Sequence, residues 1–196
     1  MAGTARALRH LERARRRAGR AGRERGGDDQ ADRRVHGGTD KAVYAYGLED
    51  YEWWGAQLGV ELGPGTFGEN LTVAGFDLRA AWVGERWRIG TCLLEVSEPR
   101  MPCFKLGMRM GTADFVDLFG MVGRFGTYLR IAGEGTLAAG DDVELVYRPE
   151  ERLTVEELAE SRRTDDVDLL ERVARHGALS EGWARSARRA LKRRAG

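Results

Sequence analysis

Arg86-Trp87-Arg88-Ile89-Gly90-Thr91-Cys92-Leu93-Leu94-Glu95-Val96 is the stretch that decides the fold class. It holds two short β-like runs, Arg86–Ile89 and Cys92–Val96, with Gly90 between them. Cys92 alternates in phase with Leu94 and Val96. Side chains two apart share one face of a strand, so this cysteine reads as a core residue. The pattern recurs on both sides. Val43–Tyr46, Phe76–Trp82, Tyr128–Ile131 and Val143–Tyr147 are further β-like runs, punctuated by Gly75, Gly84, Gly126, Gly133, Gly135 and Gly140-Asp141. Short strands with glycine turns predict a barrel or sandwich. Arg148-Pro149 ends the sheet region, because proline cannot donate to a β-ladder.

Two helices interrupt this β-rich part. Leu48, Tyr51, Trp54 and Leu58 recur at helical spacing up to Gly59, with the Trp53-Trp54 pair reading as core and rim. Phe115, Leu118, Phe119 and Val122 form one stripe over Ala113–Val122, a helix expected to plug or cover one end of the barrel. Beyond Pro149 the pattern becomes helical throughout. Thr154-Val155-Glu156-Glu157 is a capping box, with Leu153 and Leu158 placed for a hydrophobic staple. A second helix is predicted over Asp166–Arg175, stopped near Gly177. A third follows Leu179-Ser180 through Trp183, Ala187 and Leu191 to a basic end that suits the helix dipole.

Immediately after the deciding stretch comes Ser97-Glu98-Pro99-Arg100-Met101-Pro102-Cys103-Phe104-Lys105. This segment is expected to be a loop. Its prolines fix their own φ and bias Glu98 and Met101 towards extended conformations, so Cys103 leaves in a restricted direction. Nearby charges of Arg100 and Lys105 favour the thiolate, the form that attacks electrophiles and binds soft metals. Cys103 is therefore the leading candidate for sulfur or metal chemistry, against the alternative of a small buried apolar residue.

Two other stretches carry polar candidates. His36 precedes Gly37-Gly38 and reads either as a phosphate or substrate contact or as a turn cap, with the turn favoured on this stretch alone. Phe67-Gly68-Glu69-Asn70-Leu71-Thr72-Val73 leads an acid and an amide into a strand. Glu69 and Asn70 can build a polar pocket wall, or can be satisfied turn residues.

Charge is distributed unevenly. The chain has 196 residues and a formal net charge of +1. Residues 1–25 hold nine Arg against Glu12 and Glu24, a net of +7, and residues 185–196 hold six cations and no acid, which leaves −12 for residues 26–184. A basic surface over the whole fold is thus excluded, and nucleic-acid contact could come only from the ends. Cys92 and Cys103 form neither a disulfide framework nor a C-x-x-C motif, which fits a reducing, cytoplasmic compartment. No apolar stretch reads as a secretory signal or a membrane span. The expected organisation is a basic, disordered arm over residues 1–25, a β-barrel domain with peripheral helices over 26–150, and a small three-helix subdomain with a basic tail over 151–196.

Gln30-Ala31-Asp32 with His36-Gly37-Gly38, Phe67-Gly68-Glu69-Asn70-Leu71, Pro99-Arg100-x-Pro102-Cys103-x-Lys105, Gly126-x-Tyr128-x-Arg130 and Gly140-Asp141, in this order, resemble the MOSC domain family. The C-terminal part, with Leu179-Ser180-x-x-Trp183, looks like the three-helix appendage of its bacterial YiiM-like members. The likeness covers about residues 26–191. It implies a mainly β, MOSC-like barrel that binds molybdenum cofactor, with Cys103 as molybdenum ligand or sulfur carrier. A family-level association with pyridoxal phosphate binding comes with it. For YiiM-like members it also implies reductive detoxification of N-hydroxylated bases such as hydroxylaminopurine. Carried over by residue, Cys103 is the thiolate ligand; Arg100 and Lys105 balance the anionic cofactor; His36, Glu69, Asn70 and Arg130 line the pocket, Arg130 alternatively forming a salt bridge on a barrel strand. The electrons are then expected from a separate redox protein, for which the three-helix appendage offers a docking surface. Family members enter the Gln-Ala-Asp region through an N-terminal strand, whereas residues 1–25 show no β character, so the expectation is either an absent first strand, which leaves an open sheet edge, or a misassigned or frameshifted start of the chain.

Two rival functions are consistent with the residues. One is a sulfur carrier holding a persulfide on Cys103. The other is a regulatory or nucleic-acid-binding protein using the basic ends, including a helix-turn-helix reading of the last helices.

Overall fold

A computed structural model describes residues 39–195. The arm over residues 1–25, the expected absence of a first strand, Gln30-Ala31-Asp32 and His36-Gly37-Gly38 lie outside the described residues.

Six strands form one curled, half-barrel sheet: β1 (Val43–Gly47), β2 (Leu71–Val73), β3 (Arg86–Ile89), β4 (Cys92–Pro99), β5 (Thr127–Gly133) and β6 (Val143–Tyr147). Their order is β2-β1-β5-β4-β3-β6. β1 and β2 run parallel, joined through helix α1 (Leu48–Leu58), and every other pairing is antiparallel. The deciding stretch forms the β3–β4 hairpin, with Ile89 opposite Cys92 and Trp87 opposite Leu94. Cys92 is buried with Leu94 and Val96, as its phase predicts.

The inner face of the sheet buries Trp87, Ile89, Leu94, Val96 and Leu129 with Ala45, Val73 and Leu78. Beside it lies an aromatic cluster, where α1 and helix α3 (Asp114–Val122) pack Trp54, Phe115 and Phe119 onto Tyr46 and Phe67. The rings of Trp54 and Phe119 stack at 5.6 Å and 6°. Removing this apolar area from water is what covers the sheet with these helices, and the aromatic geometry adds about 0.5–1.5 kcal/mol per pair. Trp54 is fully buried and Trp53 sits at the rim.

Three C-terminal helices follow, α4 (Val155–Glu160), α5 (Val167–Arg175) and α6 (Glu181–Ala195). Thr154 Oγ1 accepts from Glu157 N at 3.1 Å and Glu157 Oε2 accepts from Thr154 N at 2.8 Å, which completes the capping box. Asp166 caps α5 by accepting from Leu169 N. Leu153, Leu158, Leu169, Leu170, Val173, Trp183 and Ala187 share one core with Val83 of the sheet domain.

Two local expectations are corrected. Residues 76–82 form turns and bends instead of a strand, and only Trp82 pairs, in an isolated bridge with Thr154. Asp77 Oδ1 accepts from Arg79 N at 2.9 Å, so a side chain offers the backbone a turn in place of a ladder. The expected loop Ser97–Lys105 is shorter. Ser97–Pro99 complete β4, where Glu98 stands opposite Tyr128, and Phe104 opens a short helix, α2 (Phe104–Arg109).

Candidate functional site

Residues 100–103 leave the end of β4 and turn into α2, so the thiol stands where a strand stops and a helix begins. Cys103 is the residue before the first turn of α2, in extended conformation with φ −134° and ψ 173°. Its side chain makes no cap hydrogen bond, so the sulfur is not engaged in holding the helix. It is half-buried and lines a cleft of about 200 Å³ with Lys41, Glu98, Arg100, Lys105 and Tyr128. Two further walls come from the C-terminal helices, Arg162 after α4 and Trp183 in α6.

The cleft is built for negative charge. Lys41, Arg100, Lys105 and Arg162 face one carboxylate, Glu98, and Lys41 already pairs with it at 3.2 Å. Arg100 is buried, its guanidinium 5.5 Å from the centre of the Tyr44 ring, and its Nη1 has no hydrogen-bond partner among the described residues. A buried donor without an acceptor costs about 1–3 kcal/mol, so this atom marks a position that an anionic group would satisfy. The Arg162 guanidinium carbon sits 4.0 Å from the centre of the Trp183 ring, which holds a cation in place without neutralising it. Burial pushes the Tyr128 phenol above its ordinary value, against the pull of Arg100, and the Cys103 and Glu98 charges push it further. Tyr128 is therefore a neutral phenol beside the thiol, able to donate a proton or a hydrogen bond.

The residues predicted for the site divide into two groups. Cys103, Arg100 and Lys105 come together in the cleft. Glu69, Asn70 and Arg130 are held elsewhere. Glu69 Oε1 accepts from the Tyr51 hydroxyl, Gly65 N and Thr72 Oγ1, while its Oε2 is buried without a partner among the described residues. Burial first, then this carboxylate, pushes the Tyr51 phenol up. Asn70 and Tyr44 form a reciprocal pair, Asn70 N donating to Tyr44 O and Tyr44 N to Asn70 Oδ1, each at 2.9 Å, which extends the parallel β1–β2 ladder by one side chain. Arg130 donates to Asp40 at 2.6 Å, Glu95 at 2.8 Å and the Ala178 carbonyl at 2.7 Å. It joins the segment before β1, strand β4 and the loop between α5 and α6, in ion pairs with Asp40 and Glu95. His36 lies outside the described residues.

Sequence reasoning missed Lys41, Glu98, Tyr128, Arg162 and Trp183 as cleft residues. Tyr128 carried a signal, since it stands two before Arg130 and shares its strand face. Nothing local marks Lys41 or Arg162. Among the described residues no group of three His, Cys, Asp or Glu side chains could hold a metal ion. A metal bound here through the one thiolate must bring its remaining ligands with it. The donor set fits an anionic group that carries a soft metal: a single thiolate for the metal and unpaired cations for the charge.

A β-rich half-barrel with a thiol presented at a strand end in a cationic cleft defines the class, and the chain belongs to the MOSC domain family, whose match covers residues 32–144. Among its relatives, the Bacillus subtilis protein YflK is 38% identical over 162 residues, 82% of this chain and 73% of YflK. The Escherichia coli protein YiiM is 32% identical over 166 residues, again 82% of this chain and 73% of its own length. A Gibberella moniliformis protein named reductase is 33% identical over 138 residues, 68% of this chain and 25% of that protein. The crystal structure of YiiM from Geobacillus stearothermophilus superposes with a TM-score of 0.74 at 31% identity, covering 79% of this chain and 80% of that one. No helix among the described residues is long and apolar enough to cross a membrane.

Proposed function

We propose that the protein binds molybdenum cofactor in the Cys103 cleft and reduces N-hydroxylated compounds, of the hydroxylaminopurine type, to amines in the cytoplasm. The observation that carries this reading is the Cys103 thiol in a cleft where four cations face one carboxylate and a buried Arg100 nitrogen has no partner among the described residues. The similarity to a protein named reductase supports a reductive direction.

The cofactor supplies the two-electron redox chemistry, and the chain supplies ligation, orientation and protons. Cys103 offers a soft thiolate to molybdenum. Arg100 Nη1 and Lys105 neutralise the anionic groups that arrive with it. Arg162, held by Trp183, closes the opposite wall. Tyr128, kept protonated by burial, donates to the hydroxyl that departs. Each turnover consumes one N–OH group, two electrons and two protons, and releases one amine and one water. A separate redox protein provides the electrons.

The test is turnover of N-hydroxylaminopurine to adenine by cofactor-loaded protein, with reduced methyl viologen as electron source. The proposal expects turnover in wild type and none in Cys103→Ser. A loaded, folded wild type that leaves the hydroxylamine intact, while carrying a persulfide on Cys103, would replace this reading with that of a sulfur carrier.

A further inference from the structure

Helix α2 begins at the residue after the reactive thiol, and it turns the wrong face outward for a structural helix. It buries Leu106 and Gly107 and exposes Phe104, Lys105, Met108 and Arg109. Positions i, i+1, i+4 and i+5 lie together on one side of a helix, so these four form a single patch. Phe104 is 66% exposed and Met108 74%, more than any other large apolar side chain among the described residues. Two cations and no acid share the helix with them. An apolar centre rimmed by charge is the anatomy of a docking site, and methionine adapts to a partner's surface.

We propose that the exposed face of α2 docks an acidic electron-carrier protein, an iron–sulfur or flavin protein, that delivers electrons to the Cys103 cleft; this rests on the reductive function proposed above. Charge decides the occupant. Residues 1–25 of the same chain carry nine Arg against two Glu, so their charge does not complement Lys105 and Arg109. A second copy presenting this same face would oppose its own cations. A carboxylate-rich surface is the complement, and it steers association at low salt. Distance agrees with the role. Six helical residues span about 9 Å, so every residue of the patch lies within about that axial distance of Cys103. The donor is oxidised by two electrons per turnover, one at a time for a one-electron carrier, while the substrate N–OH takes up those electrons with two protons to give amine and water. The face differs from the three-helix surface expected from sequence, whose Arg162 and Trp183 are instead committed to the cleft wall.

The experiment compares cofactor-loaded full chain, wild type and Phe104→Glu/Met108→Glu, with two electron sources: reduced methyl viologen and a reduced acidic [2Fe–2S] ferredoxin. Direct binding of that ferredoxin and of flavodoxin is measured in parallel at 50 and 300 mM salt. The proposal expects viologen-driven turnover within twofold of wild type in the variant, ferredoxin-driven turnover at limiting donor lowered at least tenfold, and binding that weakens with salt and is lost in the variant. Equal loss with both sources, or a raised KM for the N-hydroxylated substrate with viologen, would assign the patch to substrate or to the fold and overturn the proposal. So would unchanged ferredoxin-driven turnover in the variant, or no binding of either acidic carrier to wild type. Absence of viologen-driven turnover in wild type would count against the reductive function alone, and the binding comparison would still decide the docking face.

Discussion

Replacing Arg100 by Met should leave the ligand-free protein about as stable as wild type while removing its capacity to bind anions. The side chain is buried, no carboxylate lies within 4 Å of it among the described residues, and its Nη1 has no acceptor. Leaving that donor unsatisfied costs about 1–3 kcal/mol. The stack on Tyr44 at 5.5 Å returns about 0.5–2 kcal/mol. Methionine keeps much of the volume and demands no partner, but it gives up the Arg100–Tyr128 hydrogen bond, about 0.5–1.5 kcal/mol, so stability should stay within about 1 kcal/mol of wild type, or about 2–4 °C in Tm for a chain of this length. Ligand-bound protein should behave differently. An anion present at 100 times its Kd stabilises wild type by about 2.7 kcal/mol, and the variant should lose most of that increment. Thermal melts of cofactor-free protein with and without pyrophosphate read both effects. A variant that melts several degrees below wild type without ligand would show that Arg100 holds the fold together, and an undiminished pyrophosphate shift would show that it does not hold the anion.

Tyr128→Phe should keep metal content while lowering turnover by about 10²-fold, the usual worth of a positioned proton donor. Because burial raises the phenol, wild-type turnover should show no alkaline limb from Tyr128 below its ordinary titration range, and unchanged turnover in the variant would remove Tyr128 from the chemistry. Thr154→Ala should cost about 1 kcal/mol, or about 2–4 °C. Arg172→Gln, which removes the guanidinium that donates to Glu157 at 3.1 Å, should flatten the acid limb of stability. Burial pushes Glu157 up, but the Thr154 N–H and Arg172 outweigh it and hold the carboxyl below its ordinary value. Its contribution is therefore complete above the ordinary carboxylate range and is lost as pH falls through the lowered value. An urea-unfolding series against pH checks this, and an unaltered acid limb would refute it. Gly126→Ala should lower stability by about 3 kcal/mol or more, because φ is +63° there and a Cβ would sit 2.4 Å from the Ala45 carbonyl oxygen. A melting temperature within a degree of wild type would contradict that reading of the β1–β5 contact.

Much of this architecture was legible in the residues because the signals were local and periodic. The β3–β4 alternation, the α1 and α3 stripes and the Thr154 capping box all appear where sequence places them. Helix α2 was hidden because six residues are too few for a period to show and Gly107 interrupts them. Residues 76–82 misled through their aromatic ends, while the Asp77–Arg79 contact that makes the turn lies between side chains two apart. The candidate site was legible only where it is contiguous, from Arg100 to Lys105. Its remaining walls are brought in by β-pairing and by docking of the C-terminal helices: Tyr128 reaches Glu98 across the β4–β5 register, and Arg162 and Trp183 arrive with α4 and α6. Glu69, Asn70 and Arg130 look like site residues in sequence because polar groups beside glycine can serve a ligand or a backbone equally. In the structure Asn70 pairs with the Tyr44 backbone, Arg130 joins Asp40, Glu95 and the Ala178 carbonyl, and Glu69 holds Tyr51, Gly65 and Thr72 through one oxygen.

The central claim is that Cys103 holds the metal of a bound cofactor. Molybdenum and pterin content of full-length protein, expressed in a host that makes the cofactor, measures this directly when wild type and Cys103→Ser are purified alike and both are shown to be folded. The account predicts near-stoichiometric molybdenum with wild type and its loss in the serine variant. Equal molybdenum in the two proteins, or none in a well-folded wild type, would contradict it.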